Sequence, residues 1–254
     1  MSEANDFRLE GEVALITGGG TGLGLGMAEA MVRSGAHVVI TGRRESVLKD
    51  AVGRLGSNAS YIVADVTESG AAERLTAEVV ARHKTLSILV NNAGIHLKEL
   101  IEDTSEDEFA RLMHTHVNAA FLLSREAVPV MRKNGHGHIL FIASMASFIG
   151  MPKIIAYSAA KSAQTGMVRS LAVELGSDNI RVNGIAPGWI ESDMLNQALN
   201  ADPPRKQKIT GRIPGGQFGL PRDIGNAAVF LSSPAARYIN GVILPVDGGA
   251  LISL

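Results

Sequence analysis

Short aliphatic runs alternate along the chain with longer stretches whose apolar residues recur every three or four positions. The short runs read as strands buried on both faces: residues 12–17, 37–41, 60–64, 86–91, 137–144, 180–186 and 242–246. Between them the helical period predicts helices over residues 22–34, 43–55, 68–82, 106–133, 157–175 and 221–231. Ser105 with Glu108 forms a capping box at the start of the long fourth helix, and Pro129 inside it predicts a kink or a break. Pro221 opens the last helix at its first turn.

Strands that alternate with helices imply parallel βαβ units, and right-handed crossovers wind them into an α/β fold. About seven strands then form one doubly wound parallel sheet with helices on both faces. No repeat, low-complexity tract or composition break divides residues 1–254, so a single domain is expected. Ligands of such sheets bind beyond the carboxyl ends of the strands. The chemistry-bearing residues of this chain follow the strands.

Composition narrows the classes. The chain is 46% hydrophobic and 19% charged with a net charge of −1, which gives neither disorder nor a field that would draw nucleic acid or an anionic membrane. It has no cysteine, which removes disulfides, thiolate metal sites and cysteine nucleophiles. No apolar run is long enough to span a bilayer, and the acidic first residues are unlike a secretory signal. A cytoplasmic protein is expected.

Thr17-Gly18-Gly19-Gly20-Thr21-Gly22-Leu23-Gly24 ends the first strand and opens the first helix. Such a turn lets backbone approach a pyrophosphate, and the helix N-terminus offers it free N–H groups. Gly18, Thr21, Gly22 and Leu23 are therefore candidate cofactor contacts. After the second strand, Thr41-Gly42-Arg43-Arg44 carries no acid until Glu45. A carboxylate there would select NAD, whereas the Arg43 guanidinium suits a 2′-phosphate. NADP(H) is preferred on this reading and NAD(H) remains possible, since Arg43 can also be a solvent-facing residue. Asp65 either accepts from an adenine amino group or closes a turn. Asn91-Asn92-Ala93-Gly94 ends the fourth strand with small residues that leave room for a cofactor.

Tyr157-Ser158-Ala159-Ala160-Lys161 places a phenol and an ammonium on one helix face. Making the phenol a base near neutral pH takes about 4 kcal/mol of phenolate stabilisation, which Lys161 and a positive nicotinamide ring can supply. Lys161 can also bond a ribose. Ser144, after the fifth strand, can hold a substrate oxygen. The pattern implies hydride exchange between a nicotinamide and a carbonyl/alcohol pair; the alternative is a regulatory protein that senses the dinucleotide without turnover.

With TGGGTGLG from Thr17, NNAG from Asn91, Ser144, YSAAK from Tyr157, APGWIESDM from Ala186 and VDGG from Val246, the chain resembles the compact short-chain dehydrogenase/reductases over residues 8–251. It is similar to their 3-oxoacyl-carrier-protein reductases and gluconate 5-dehydrogenases. The resemblance implies a Rossmann-like fold, with Tyr157 as acid/base, Lys161 lowering its pKa and Ser144 orienting the carbonyl. It also implies that Asp65 and Val66 flank the adenine, that Asn91 and Ala93 line the cofactor, and that Pro187, Gly188, Ile190 and Ser192 surround the nicotinamide amide. Homotetramers are usual in the family. One departure stands out: gapless alignment puts His116 where the family has a catalytic Asn, whose backbone carbonyl holds a relay water behind the Lys. Either His116 keeps that role through its carbonyl, its side chain being immaterial, or Asn118 fills the slot after a local helix shift.

His114 and His116 point to opposite sides of a helix, and His136 and His138 flank a turn glycine and read as surface residues. No metal site is expected. Residues 189–219, rich in Pro and Gly with a short helical stretch near residues 194–199, suit a lid over a small-molecule substrate. His96 and Lys153 suit a sugar acid, while Phe148, Met194 and Leu195 suit an acyl chain.

Overall fold

A computed structural model describes residues 6–192, 195, 199 and 202–253. Its strands are β1 (Val13–Thr17), β2 (His37–Gly42), β3 (Ala59–Val63), β4 (Ile88–Asn91), β5 (Gly137–Ile142), β6 (Ile180–Pro187) and β7 (Ile243–Val246). They form one sheet in the order β3-β2-β1-β4-β5-β6-β7. Every neighbouring pair is parallel. The helices are α1 (Gly22–Arg33), α2 (Glu45–Leu55), α3 (Ala71–His83), α4 (Glu106–Met113), α5 (Ala119–Asn134), α6 (Ile155–Leu175), α7 (Pro203–Thr210) and α8 (Pro221–Ser232). The fold is the Rossmann-like, doubly wound sheet that the strand–helix alternation implies.

Both faces of the sheet are covered, which is why the strands read as continuous apolar runs. Alternate residues of β1 feed two cores. Ala14 and Ile16 pack with Met27, Met31, Ile224 and Ala228 on the side of α1 and α8. Val13 and Leu15 pack with Leu75, Leu123, Ala127 and Val168 on the side of α3, α5 and α6. Helices α1 and α8 touch backbone to backbone: a Cβ on Gly26 would lie 2.7 Å from the Pro221 carbonyl carbon. The chain winds outward from β1 through β2 to β3, then returns to β4 on the other side of β1. That reversal opens a crevice between the ends of β1 and β4, the usual ligand position of such sheets.

The capping box at Ser105 is present, with Ser105 Oγ accepting from the Glu108 N–H. The single long helix expected over residues 106–133 is three pieces, because a π-helical segment, His114–Asn118, separates α4 from α5. The Ala119 N–H reaches back five residues to the His114 carbonyl. The break expected at Pro129 is absent, and α5 continues through it. Pro129 and Arg125, whose carbonyl the proline leaves without a donor, are exposed, so water can satisfy that group.

His136 and His138 are drawn in further than the turn-flanking pattern suggested. β5 is an interior strand, and His136 Nε2 lies 3.2 Å from both carboxylate oxygens of Glu12. His138 Nδ1 is buried without a partner. Burial, then the charges of Arg181 and His136, push the His138 imidazole down to about 3. Arg181 is itself held by the carbonyls of Leu231, Ser233 and Ile239.

Candidate active site

The glycine turn after β1 is folded more tightly than other residues allow. Gly18 and Gly22 have φ of 63° and 53°. A Cβ on Gly24 would run into the Gly18 carbonyl oxygen and lie 2.8 Å from Asn92 Nδ2. Helix α1 starts at Gly22 with no side-chain cap and no acid in its first turn, so its leading N–H groups stay available to an anion.

The turn is tied to the end of β4. Thr17 Oγ1 accepts from the N–H groups of Asn92 and Ala93, each at 2.9 Å, and donates to the Val90 carbonyl at 3.2 Å. Asn92 Nδ2 donates to the carbonyls of Thr17 at 2.8 Å and Gly18 at 3.2 Å. Of the Asn-Asn pair, Asn91 is buried with its amide donating to Ser124 Oγ, while Asn92 to Ile95 form the cleft wall. The clamp made by Thr17 and Asn92 was not evident from the sequence, where the tetrapeptide signalled only small size.

A cavity of about 500 Å³ runs from the turn past Thr21, Gly22 and Leu23 to Arg43, Asp65 and Val66. The Arg43 guanidinium is exposed and stands 3.8 Å from the Asp65 carboxylate. Hydrogen bonds from Thr67 and the charges of Arg43 and His114 hold Asp65 below the usual carboxylate range, against a smaller opposing effect of burial. The residues fit a dinucleotide: glycine backbone at a helix start for the pyrophosphate, and a cation beyond β2 for a further phosphate.

The chemical groups gather at the same edge of the sheet. Ser144 follows β5, and its Oγ accepts from the Ala146 N–H. Tyr157 lies in the first turn of α6, which begins two residues earlier than the sequence suggests. Burial raises the Tyr157 phenol above its ordinary value, and a hydrogen bond with Ser144 partly opposes this. Lys161 Nζ stands 5.6 Å from the centre of the Tyr157 ring and donates to the Ile142 carbonyl at 2.5 Å. Burial pushes this ammonium down to about 7. The exposed His96 ring lies 4.9 Å from the Tyr157 ring.

The π segment turns His116 inward, edge-on to Tyr157 at 5.6 Å, and leaves His114 and Asn118 outside. Asn118 Nδ2 faces His114 Nδ1 at 3.4 Å, so the slot beside Tyr157 belongs to His116. Its side chain is not immaterial: Nε2 lies 2.7 Å from the Ile95 carbonyl, and the ring fills the space that Gly94 leaves by lacking a Cβ. Burial and the neighbouring Lys161 push this imidazole down to about 4, so it is neutral at physiological pH. The His116 carbonyl accepts at 2.8 Å from Gln164 Nε2, a residue that sequence reading passed over.

Beyond β6, Pro187 and Gly188 are held against β7, and Ile190 pairs with Gly219. Ser192 Oγ accepts from the Leu195 N–H. Trp189 and Phe218 pack on a small cluster of Met145, Ile213 and Ala250. Of the short helix expected near residues 194–199, Leu195 and Leu199 are helical, and Met194 and residues 196–198 lie outside the described residues. Near the end of the chain, Ala250 is buried and Ile252 is exposed. Lys153 is exposed with φ of 69°, and its carbonyl accepts from the Glu99 N–H. Among the described residues no cluster of His, Asp or Glu is placed to hold a metal ion, and no helix is long and apolar enough to cross a membrane.

A family model described as enoyl-(acyl carrier protein) reductase matches residues 18–250. The chain is 40% identical to 2-dehydro-3-deoxy-D-gluconate 5-dehydrogenase of Dickeya dadantii over 97% of its own length and 98% of that protein's. It is 38% identical to a 3-oxoacyl-[acyl-carrier-protein] reductase of Rickettsia bellii over 96% and 98% of the two chains. Among solved structures it resembles gluconate 5-dehydrogenase from Burkholderia cenocepacia in complex with NADP and tartrate. That match has a TM-score of 0.93 at 34% identity and covers 98% of this chain and 99% of the other.

Proposed function

The chain belongs to the short-chain dehydrogenase/reductase family, and from that premise we propose that it interconverts a secondary alcohol and a ketone on a sugar acid, with NADP(H) preferred as hydride carrier. It is an enzyme, an oxidoreductase of the CH–OH group. The observation that carries the reading is the meeting of Ser144, Tyr157 and Lys161 beside a dinucleotide-shaped cleft.

A nicotinamide bound in that cleft supplies or takes the hydride. The turn residues Gly18, Thr21, Gly22 and Leu23 hold the pyrophosphate, and Arg43 holds the 2′-phosphate. Asp65 and Val66 flank the adenine. Ala93, with Asn92 beside it, lines the middle of the cofactor site, whereas Asn91, expected there, is buried behind that wall against Ser124. Pro187, Gly188, Ile190 and Ser192 surround the nicotinamide amide. Ser144 bonds the substrate oxygen. Tyr157 takes the proton from that oxygen in oxidation and returns it in reduction. Because burial alone raises the phenol, positive charge must lower it, and Lys161 is the cation beside it. Lys161 also bonds the ribose, which fixes the dinucleotide relative to Tyr157.

The sugar-acid reading rests on the gluconate-type relatives and on the polar groups at the mouth of the site. His96 lies beside Tyr157, and Lys153 lies on the loop before α6. Residues 189–219 act as the lid of a single domain comprising residues 1–254. The protein works in the cytoplasm as a homotetramer; sedimentation as a monomer would exclude the assembly. With NADP⁺, six-carbon sugar acids are oxidised at least about tenfold more efficiently than 3-hydroxyacyl thioesters. Steady-state rates on both panels test this, and the reverse order overturns the substrate while leaving the reaction class intact.

A further inference from the structure

Lys161 is buried to 4% exposure, and its ammonium carries three protons to place. One goes to the Ile142 carbonyl. Gln164, three residues on and so on the same face of α6, turns its Oε1 toward the same nitrogen at 3.4 Å. The other end of that amide donates to the His116 carbonyl at 2.8 Å. Gln164 is 1% exposed, and both ends of its amide are engaged, so the group has a fixed direction.

We propose that Gln164 is a positioning residue for Lys161: it is anchored on the carbonyl presented by the π segment and holds the ammonium in place beside Tyr157. The inference rests on the reading of Lys161 given above. The titratable groups set against this lysine are the Tyr157 phenol on α6 and the neutral His116 ring on the π segment, with His96 stacked beyond Tyr157 and the Ser147 hydroxyl on the lysine's own backbone carbonyl. None of these is a carboxylate. The charge is therefore held against burial by dipoles, of which the Gln164 carbonyl and the Ile142 carbonyl are two. Removing the amide lets more of Lys161 lose its proton near neutral pH, and Tyr157 then loses its cation. A side chain that served only to fill space would have no such effect.

The test reads Lys161 directly, without substrate. Lysine labelled with carbon-13 at the ε position is titrated by NMR, and the signal missing from Lys161→Met identifies the residue. Gln164→Met lowers the Lys161 midpoint by about one pH unit, and Gln164→Glu, which puts a carboxylate in the same place, raises it. In turnover at neutral pH, Gln164→Met loses about tenfold in kcat with little change in KM for the dinucleotide. Should Gln164→Met fail to fold, the upward shift in Gln164→Glu carries the test. An unmoved midpoint in both variants, or a shift of both in one direction, overturns the proposal. Either result would be independent of whether the substrate is a sugar acid.

Discussion

Tyr157→Phe lowers kcat by about 10³-fold while leaving dinucleotide affinity within a few-fold of the wild type. The change removes one oxygen and keeps the ring, so the contacts with His96 and His116 remain and α6 has no reason to shift. What disappears is the group able to move a proton at the substrate oxygen. His116 does not replace it, because its ring is buried and engaged with the Ile95 carbonyl. Turnover and equilibrium titration with NADPH, measured on the same preparation, separate the two effects. A variant that keeps more than about a tenth of wild-type kcat would mean that another group carries the proton.

Gly24→Ala produces the second large effect, on binding and folding together. The added methyl group meets backbone, the Gly18 carbonyl, as well as the Asn92 amide that clamps the turn. Backbone cannot move aside as a flexible side chain can, so the turn must open. The expected cost is about 3 kcal/mol of stability and at least about a hundredfold in dinucleotide affinity. Thermal unfolding with and without NADPH measures both. Gly53, on α2 with open space around its missing Cβ, is the control: Gly53→Ala leaves binding unchanged. A Gly24→Ala protein that melted and bound like the wild type would remove the close packing of this turn from the account.

The fold was legible wherever one local rule governed each element. Apolar runs marked every strand, buried on both faces in the interior of the sheet and only partly buried at its edges β3 and β7, and Ser105 and Pro221 marked helix starts because caps and prolines act locally. The long fourth helix was misjudged because its interruption has no residue of its own. Pro129 looked like the breaker, yet the interruption is the π turn at His114–Asn118, which carries neither proline nor glycine and so no local signal of a break. In the candidate site, Ser144, Tyr157 and Lys161 were expected from their motifs, and the fold brings Ser144 against Tyr157 and Lys161 beside its ring. Asn92 and Gln164 were not expected, because each works through bonds to backbone many residues away: Asn92 to Thr17 and Gly18, Gln164 to His116. His116 lay between these cases. Its position followed from alignment, but the fit of its ring over Gly94 emerges only once β4 and the π segment are brought together.

The central claim is that this cleft binds NADP(H) through Arg43, and equilibrium fluorescence titration with NADPH and NADH on the wild type and on Arg43→Ala tests it most directly. The account predicts that the wild type prefers NADPH and that the substitution weakens NADPH by about 2 kcal/mol, roughly thirtyfold, while NADH is little changed. Equal or tighter binding of NADH, unaffected by the loss of Arg43, would contradict it and make the protein an NAD-linked member of its family.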